Sequence, residues 1–200
     1  KKAGLDFDLA IYMLPLADYV STEGGLNLMS STYRKYNDSA IPTKAKAGGS
    51  YINSFLATSD AQRNGYDDAL MFDDAGNVVE VSVANIILVY RGQIIIPDTG
   101  NAALEGITVR SALELLEHNG YKINRGKIDR SMVFTADELL VTGTAMKITY
   151  AESLDKRPIG QLDFNAKPQA GKFHKLLKSE YEKVINGEHE LSSEWLFVVE

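Results

Sequence analysis

Between Ala69 and Pro97 most residues are apolar, and turn residues cut the run into pieces of strand length. The pieces are Ala69–Phe72, Val78–Val83, Ile86–Tyr90 and Gln93–Ile96. Asp73–Asp74–Ala75–Gly76 separates the first two, and the hairpin signal Arg91–Gly92 separates the last two. Short apolar runs bounded by turn residues read as strands rather than helices. This stretch therefore predicts a β meander, closed by Pro97, which has no backbone N–H to give to a ladder.

Helical spacing lies on both sides of the meander. Tyr51, Ile52, Phe55 and Leu56 fall on one helix face after the flexible Gly48–Gly49, and Gly65 ends that helix. Thr108 is the expected N-cap of a second helix, with Val109, Leu113 and Leu116 on its inner face and Asn119–Gly120 as its stop. Ser131 caps a short helix to Asp137. A strand then begins at Glu138–Val141, breaks at Thr142–Gly143–Thr144 and resumes at Met146–Ile148. A last long helix aligns Phe173, Leu176, Leu177, Tyr181 and Val184 and ends at Gly187. Leu9–Leu14 reads as a core strand, Leu26–Ser31 as another, and Trp195–Val199 as a closing strand. The expected architecture is mixed α and β. With no fixed repeat and no long linker, residues 1–200 form a single domain.

The composition excludes several function classes. Hydrophobic residues at 44% and charged residues at 24% are ordinary globular values. With 21 basic against 27 acidic side chains, the formal charge of -6 disfavours nucleic acid as a partner. The absence of cysteine removes disulfides, thiolate catalysis and Cys-built metal sites. The longest apolar run, Leu9–Ala17, is broken by Pro15 and is short of the ~18–20 residues a bilayer span needs, so no membrane partner is expected. His118, His174 and His189 are scattered, without metal spacing, and read as solvated histidines on helix surfaces; no metal is expected. There is no Gly-x-Ser-x-Gly elbow and no phosphate-binding loop of the nucleotide type.

Three segments and one carboxylate carry possible chemistry. Lys46, between Ala45 and Ala47–Gly48–Gly49 with Tyr51 five residues on, is either a desolvated amine suited to a Schiff base or a solvated loop lysine. Gly106–Ile107–Thr108 leads into a helix N-terminus, which binds either a phosphate or only its own cap. Gly143–Thr144–Ala145 is either a nest of free N–H groups or a plain turn. Glu80, among Val78, Val79, Val81 and Val83, is either solvated or buried against a cation, and a pyridinium nitrogen would be such a cation.

In order and spacing these segments resemble the class IV pyridoxal-phosphate-dependent aminotransferases, most of all the branched-chain amino-acid aminotransferases. The pieces are Ser30–Ser31 with Arg34, Ile41–Pro42–Thr43, Lys46–Ala47–Gly48–Gly49 with Tyr51, Gly65–Tyr66–Asp67 and Glu80-x-Ser82-x-x-Asn85. Leu104–Glu105–Gly106–Ile107–Thr108, Gly143–Thr144–Ala145 and Pro158–Ile159–Gly160 follow. The resemblance implies the fold-type IV large domain, a pseudo-barrel sheet with flanking helices, and pyridoxal 5′-phosphate as cofactor. It implies that Lys46 is the Schiff-base lysine and shuttles a proton between the substrate's Cα and C4′ of the cofactor. Glu80 would bond the pyridine nitrogen, and Tyr51 the phenolic oxygen. Leu104, Ile107, Thr108 and Thr144 would complete the cofactor site, the last three at the phosphate. Thr144 and Ala145 would meet the substrate carboxylate, and Tyr19 would line the substrate pocket.

The implied reaction is transamination of a branched-chain L-amino acid with 2-oxoglutarate in a cytoplasmic homodimer, with an amino acid and a 2-oxo acid as small-molecule partners. A D-amino-acid aminotransferase or an aminodeoxychorismate lyase would share the fold, and a truncated cofactor-binding domain without catalysis is the non-enzyme alternative. Family members carry a smaller N-terminal domain; this sequence is expected to begin after it, with residues 1–15 as the strand that follows. Ser50, Ile87 and Val109 stand where the family usually has Asn, Phe and Arg, and Leu16 where it often has Trp.

Overall fold

Alternation along the apolar runs sorts their side chains to two faces, and the chain covers both. The computed structural model describes residues 4, 8–13, 24–98, 102–160, 169–197 and 199. In chain order the elements are β1 (Leu26–Arg34), α1 (Tyr51–Arg63), β2 (Asp68–Phe72), β3 (Val78–Val81), β4 (Asn85–Tyr90) and β5 (Gln93–Pro97). They continue with α2 (Ile107–His118), β6 (Ile123–Gly126), α3 (Arg130–Phe134), β7 (Glu138–Gly143), β8 (Lys147–Leu154), β9 (Arg157–Pro158), α4 (Lys172–Ile185) and α5 (Ser192–Trp195).

Among the described residues the strands form one sheet in the order β3, β2, β1, β8, β7, β4, β5, β6, with β9 on β8. Ile86 and Leu88 of β4 join Leu139 and Val141 of β7, Leu70 of β2 and Leu28 of β1 in one core layer. Ile87, Val89 and Leu140 point the other way, onto Ala112, Leu115 and Leu116 of α2 and Phe173, Leu177 and Val184 of α4. Fully burying a side chain of this size contributes ~1.5–3 kcal/mol, so the two layers fix the register strongly: a one-residue slip would exchange the faces.

The strands expected from the meander exist, but they do not form one. β2 and β3 are an antiparallel pair, as are β4 and β5. Between β3 and β4 in the sheet order stand β2, β1, β8 and β7. The cause is long-range: α1 returns the chain so that β2 lies parallel to β1, and β1 also pairs in parallel with β8. Only Ser82–Ala84 connect β3 to β4, and Val81 N–H donates to Ala84 O at 3.0 Å across that turn.

Local corrections have local causes. Helix α1 forms where its spacing predicts, yet Ile52, Phe55 and Leu56 face solvent, and Ser54, Ala57 and Ala61 are its buried residues. Only small side chains fit where α1 lies on Ala69 and Met71. Thr108 is not the N-cap of α2: the cap is Gly106, in extended conformation and without a side-chain bond, and Thr108 is buried one residue inside the helix. Asp129, not Ser131, is the N-cap of α3. Leu9, Ile11, Tyr12 and Met13 are exposed and belong to no strand, because none of the described strands pairs with them; the rest of the expected 1–15 strand lies outside the described residues apart from Gly4, Asp8 and Ala10, also in no strand. Trp195 ends the helix α5, and the exposed Leu196, Phe197 and Val199 lie outside any strand, so the closing strand is absent there. His174 is buried rather than solvated, because α4 lays it against the sheet beside Tyr150 at 4.8 Å. His118 and His189 are not scattered in space: their rings touch at 5.1 Å.

Candidate functional site

The segment between β1 and α1 is held by its own short-range bonds. Asp38 Oδ1 accepts from the Thr43 N–H at 2.9 Å and from its hydroxyl at 3.1 Å. Ala45 N–H donates to Pro42 O, and Ala47 N–H to Ala45 O. Gly48–Ser50 then forms a single 3₁₀ turn that runs into α1, with Ser50 Oγ donating to Ala47 O at 2.7 Å. This fixed loop presents Lys46, and the first residue of α1, Tyr51, to a cleft whose far wall carries Glu80. Lys46 is exposed rather than desolvated, since its alanine and glycine neighbours are too small to cover it. Among the described residues its ammonium makes no hydrogen bond or ion pair, which leaves the nitrogen free to react with a ligand in the cleft.

Glu80 is buried, 4% exposed, and has three polar neighbours. Lys35 Nζ lies 2.5 Å from its Oε1, Asn85 Nδ2 donates to its Oε2 at 3.1 Å, and the Leu104 backbone also bonds it. Burial pushes its carboxyl above the usual carboxylate range, while the Lys35 ammonium opposes that shift and helps keep the charge.

Asn85 carries this corner to the next. Its amide also donates to Leu104 O at 2.8 Å, in the loop that enters α2. A Cβ on Gly106 would collide with Asn85 Oδ1, so glycine is required for this approach. Because no side chain caps α2, its first N–H groups stand free at the positive end of the helix dipole. Thr108 is buried beside them, and Ile107 is exposed. Asn85 pairs with Thr142 across β4 and β7, which leads to the β7–β8 turn. Ala84, a cleft residue, stands against Gly143 there, and Thr144 and Ala145 are exposed on the turn. Thr142 Oγ1 is buried with no hydrogen-bond partner among the described residues.

The structure thus brings Lys46, Tyr51, Glu80 and Leu104 to one cleft. Ile107 and Thr108 do not line it but follow closely on Leu104, which Asn85 holds, and Thr144 and Ala145 lie outside its lining on the turn after Thr142, the strand partner of Asn85. Tyr19 and Leu16 lie outside the described residues. Sequence reasoning does not single out Lys35 or Thr142, and it reaches Asn85 only as a letter in a motif. The five-residue spacing from Glu80 to Asn85 is the signal that could have joined those two; a lysine directly after a strand gives none.

Comparison with known proteins identifies the family. The family model described as "Amino-transferase class IV" matches residues 2–154. The chain is 33% identical over 190 residues to the probable branched-chain-amino-acid aminotransferase of Aquifex aeolicus, covering 94% of this chain and 59% of that protein. It is 32% identical over 202 residues to the branched-chain-amino-acid aminotransferase of Pseudomonas aeruginosa, covering 100% and 64%. The chain therefore spans about three-fifths of the length of these relatives. Among solved structures, the T.th. branched-chain amino acid aminotransferase superposes with a TM-score of 0.81 at 34% identity, over 88% of this chain and 57% of that one. That protein has been seen complexed with 4-methylvaleric acid, with pyridoxamine 5′-phosphate and with N-(5′-phosphopyridoxyl)-L-glutamate.

Proposed function

The chain belongs to the class IV aminotransferase family, and from that premise we propose that it works in pyridoxal-5′-phosphate-dependent transamination between branched-chain L-amino acids and 2-oxoglutarate. The observation that carries the reading is the convergence of an unpartnered lysine, a tyrosine and a buried carboxylate on one cleft beside an uncapped helix N-terminus. The residues fit the cofactor. The acceptor for a protonated ring nitrogen is Glu80, the free N–H groups of α2 suit a phosphate, and the orphaned Thr142 hydroxyl marks polar space at the same end of the sheet.

When bound, the cofactor supplies an aldehyde that condenses with amines and a ring that accepts electrons released at the substrate's Cα. Lys46 would hold the cofactor through its Nζ and would move a proton at the substrate's Cα, as base and then acid. Tyr51 supplies a hydroxyl to the phenolic oxygen. Glu80 keeps the ring nitrogen protonated, with Leu104 and Asn85 orienting the carboxylate. Ile107, Thr108 and Thr144 hold the phosphate. The turn at Thr144 and Ala145 would meet the substrate carboxylate. The bound forms of the T.th. relative support a branched aliphatic chain and glutamate as the two substrate types. Association of two copies and a cytoplasmic location belong to the same reading, and sedimentation of the purified chain tests the first of them.

The chemical test is reductive trapping. Protein mixed with pyridoxal 5′-phosphate, reduced with borohydride and digested should carry the pyridoxyl group on the Lys46 peptide, and Lys46→Ala should abolish both the label and keto-acid formation from leucine, isoleucine and valine. Label distributed over surface lysines, with no response of the bound chromophore to these amino acids, would refute the assignment.

A further inference from the structure

Lys35 directly follows β1, where its N–H donates to Phe72 O at 2.8 Å. Its side chain is turned inward and is 7% exposed. A lysine loses much of its hydration to be there unless a partner compensates it, and the partner is Glu80, itself 6% exposed along the side chain. An ionised carboxylate has about four lone-pair sites. Lys35 takes one on Oε1, Asn85 takes one on Oε2 and the Leu104 backbone a third, so acceptor capacity remains for one further donor.

The geometry points to Lys35 as the positioning residue that keeps Glu80 ionised and fixed in the cleft, so that the carboxylate accepts a proton-bearing ring nitrogen. This rests on the reading that Glu80 faces that nitrogen. A carboxyl buried without a cation neutralises itself by binding a proton. Protonated Glu80 would offer an O–H to the ring nitrogen instead of accepting from it, and the ring would accept electrons less well. The other titratable groups lining the cleft are Tyr36, Lys46 and Tyr51, and Lys44 acts on Glu80 from the preceding loop. Among the described residues only Lys35 forms an ion pair with it.

The test compares the full chain with Lys35→Met, Lys35→Arg and the double variant Lys35→Met/Glu80→Gln. Without cofactor, urea unfolding is followed from pH 6 to 9. In Lys35→Met the folded state holds a proton on Glu80 that the unfolded state releases at ~4.3. Its stability should therefore decline relative to wild type as pH rises towards the folded-state pKa, and Glu80→Gln should remove that decline. With pyridoxal 5′-phosphate, Lys35→Met should shift the pH titration of the bound chromophore and lower kcat by roughly tenfold or more, each factor of ten matching ~1.4 kcal/mol of lost stabilisation at the ring nitrogen. KM should change little, and Lys35→Arg should restore both. A Lys35→Met pH profile parallel to wild type overturns the pairing. An altered profile with an unchanged chromophore and kcat overturns the role at the ring nitrogen. Failure of wild type to take up the cofactor overturns the functional reading itself, before any variant is compared.

Discussion

Helix α4 begins at Gly171, which has no side chain to cap it, and the missing acceptors come from Glu138 at the start of β7. Oε1 accepts the Phe173 N–H at 2.9 Å, and Oε2 accepts the His174 N–H at 3.0 Å. Hydrogen bonds to a charged group contribute ~1.5–3 kcal/mol each. In Glu138→Ala, however, the vacated and partly exposed space admits water to the freed N–H groups. The loss should therefore resemble a strong N-cap deletion with its dipole interaction, about 2–3 kcal/mol in total. For a chain of this length each kcal/mol moves Tm by ~2–4 °C, so a fall of roughly 5–10 °C is expected in circular dichroism melts. Glu138→Gln keeps one carbonyl acceptor and should cost about half as much. A Cβ at Gly171 would strike the Glu138 carboxylate, so Gly171→Ala should be costly in wild type and nearly neutral in the Glu138→Ala background. A Glu138→Ala loss below about 0.5 kcal/mol, or additive costs in the double variant, would refute this account of how α4 is anchored.

Two further outcomes follow from neighbouring groups. Gly106→Ala should push Asn85 away from Leu104 O and Glu80, costing ~1–3 kcal/mol in urea titrations and weakening uptake of pyridoxal 5′-phosphate; wild-type stability in this variant would show that the loop relaxes freely. Burial, with Lys178 and Lys175 nearby, holds the His174 imidazole below its ordinary value, so the folded state resists protonation there. The unfolded chain binds that proton first, near 6.5, and stability should fall as pH drops through and below this point. His174→Leu should remove that component, and an identical slope in both proteins between pH 7 and 5.5 would count against it.

What the sequence discloses depends on the range of the interactions. Helix ends are legible because each is decided locally: Gly65, Gly120 and Gly187 follow α1, α2 and α4, each with φ of 79°, where a side chain would be strained. The strands are legible as apolar runs, but their neighbours are not. Nothing within Val78–Tyr90 signals that β2, β1, β8 and β7 intervene between β3 and β4, because that order depends on pairings between residues distant in sequence. The inward face of α1 escapes the pattern for a related reason. Apolar bulk identifies a core face only when the opposing surface leaves room, and beneath α1 it admits alanine and serine alone.

The same distinction divides the site. Lys46, Tyr51 and Glu80 stand out through motif spacing, whereas nothing in the local sequence marks Lys35, between Arg34 and Tyr36, as a buried charge, or Lys44, between Thr43 and Ala45, as an exposed one. The fold separates them. Lys44 stays 44% exposed along its side chain, where it reaches Glu105 at 3.2 Å across solvent-facing surface, and such a pair contributes at most ~1 kcal/mol. Lys35 is enclosed because the end of β1 runs beside β2, and β2 carries β3 with Glu80. Two strand pairings that no local pattern encodes thus turn an ordinary lysine into the counter-charge of the buried carboxylate, and they make the ionisation of Glu80 a property of the sheet as much as of the cleft.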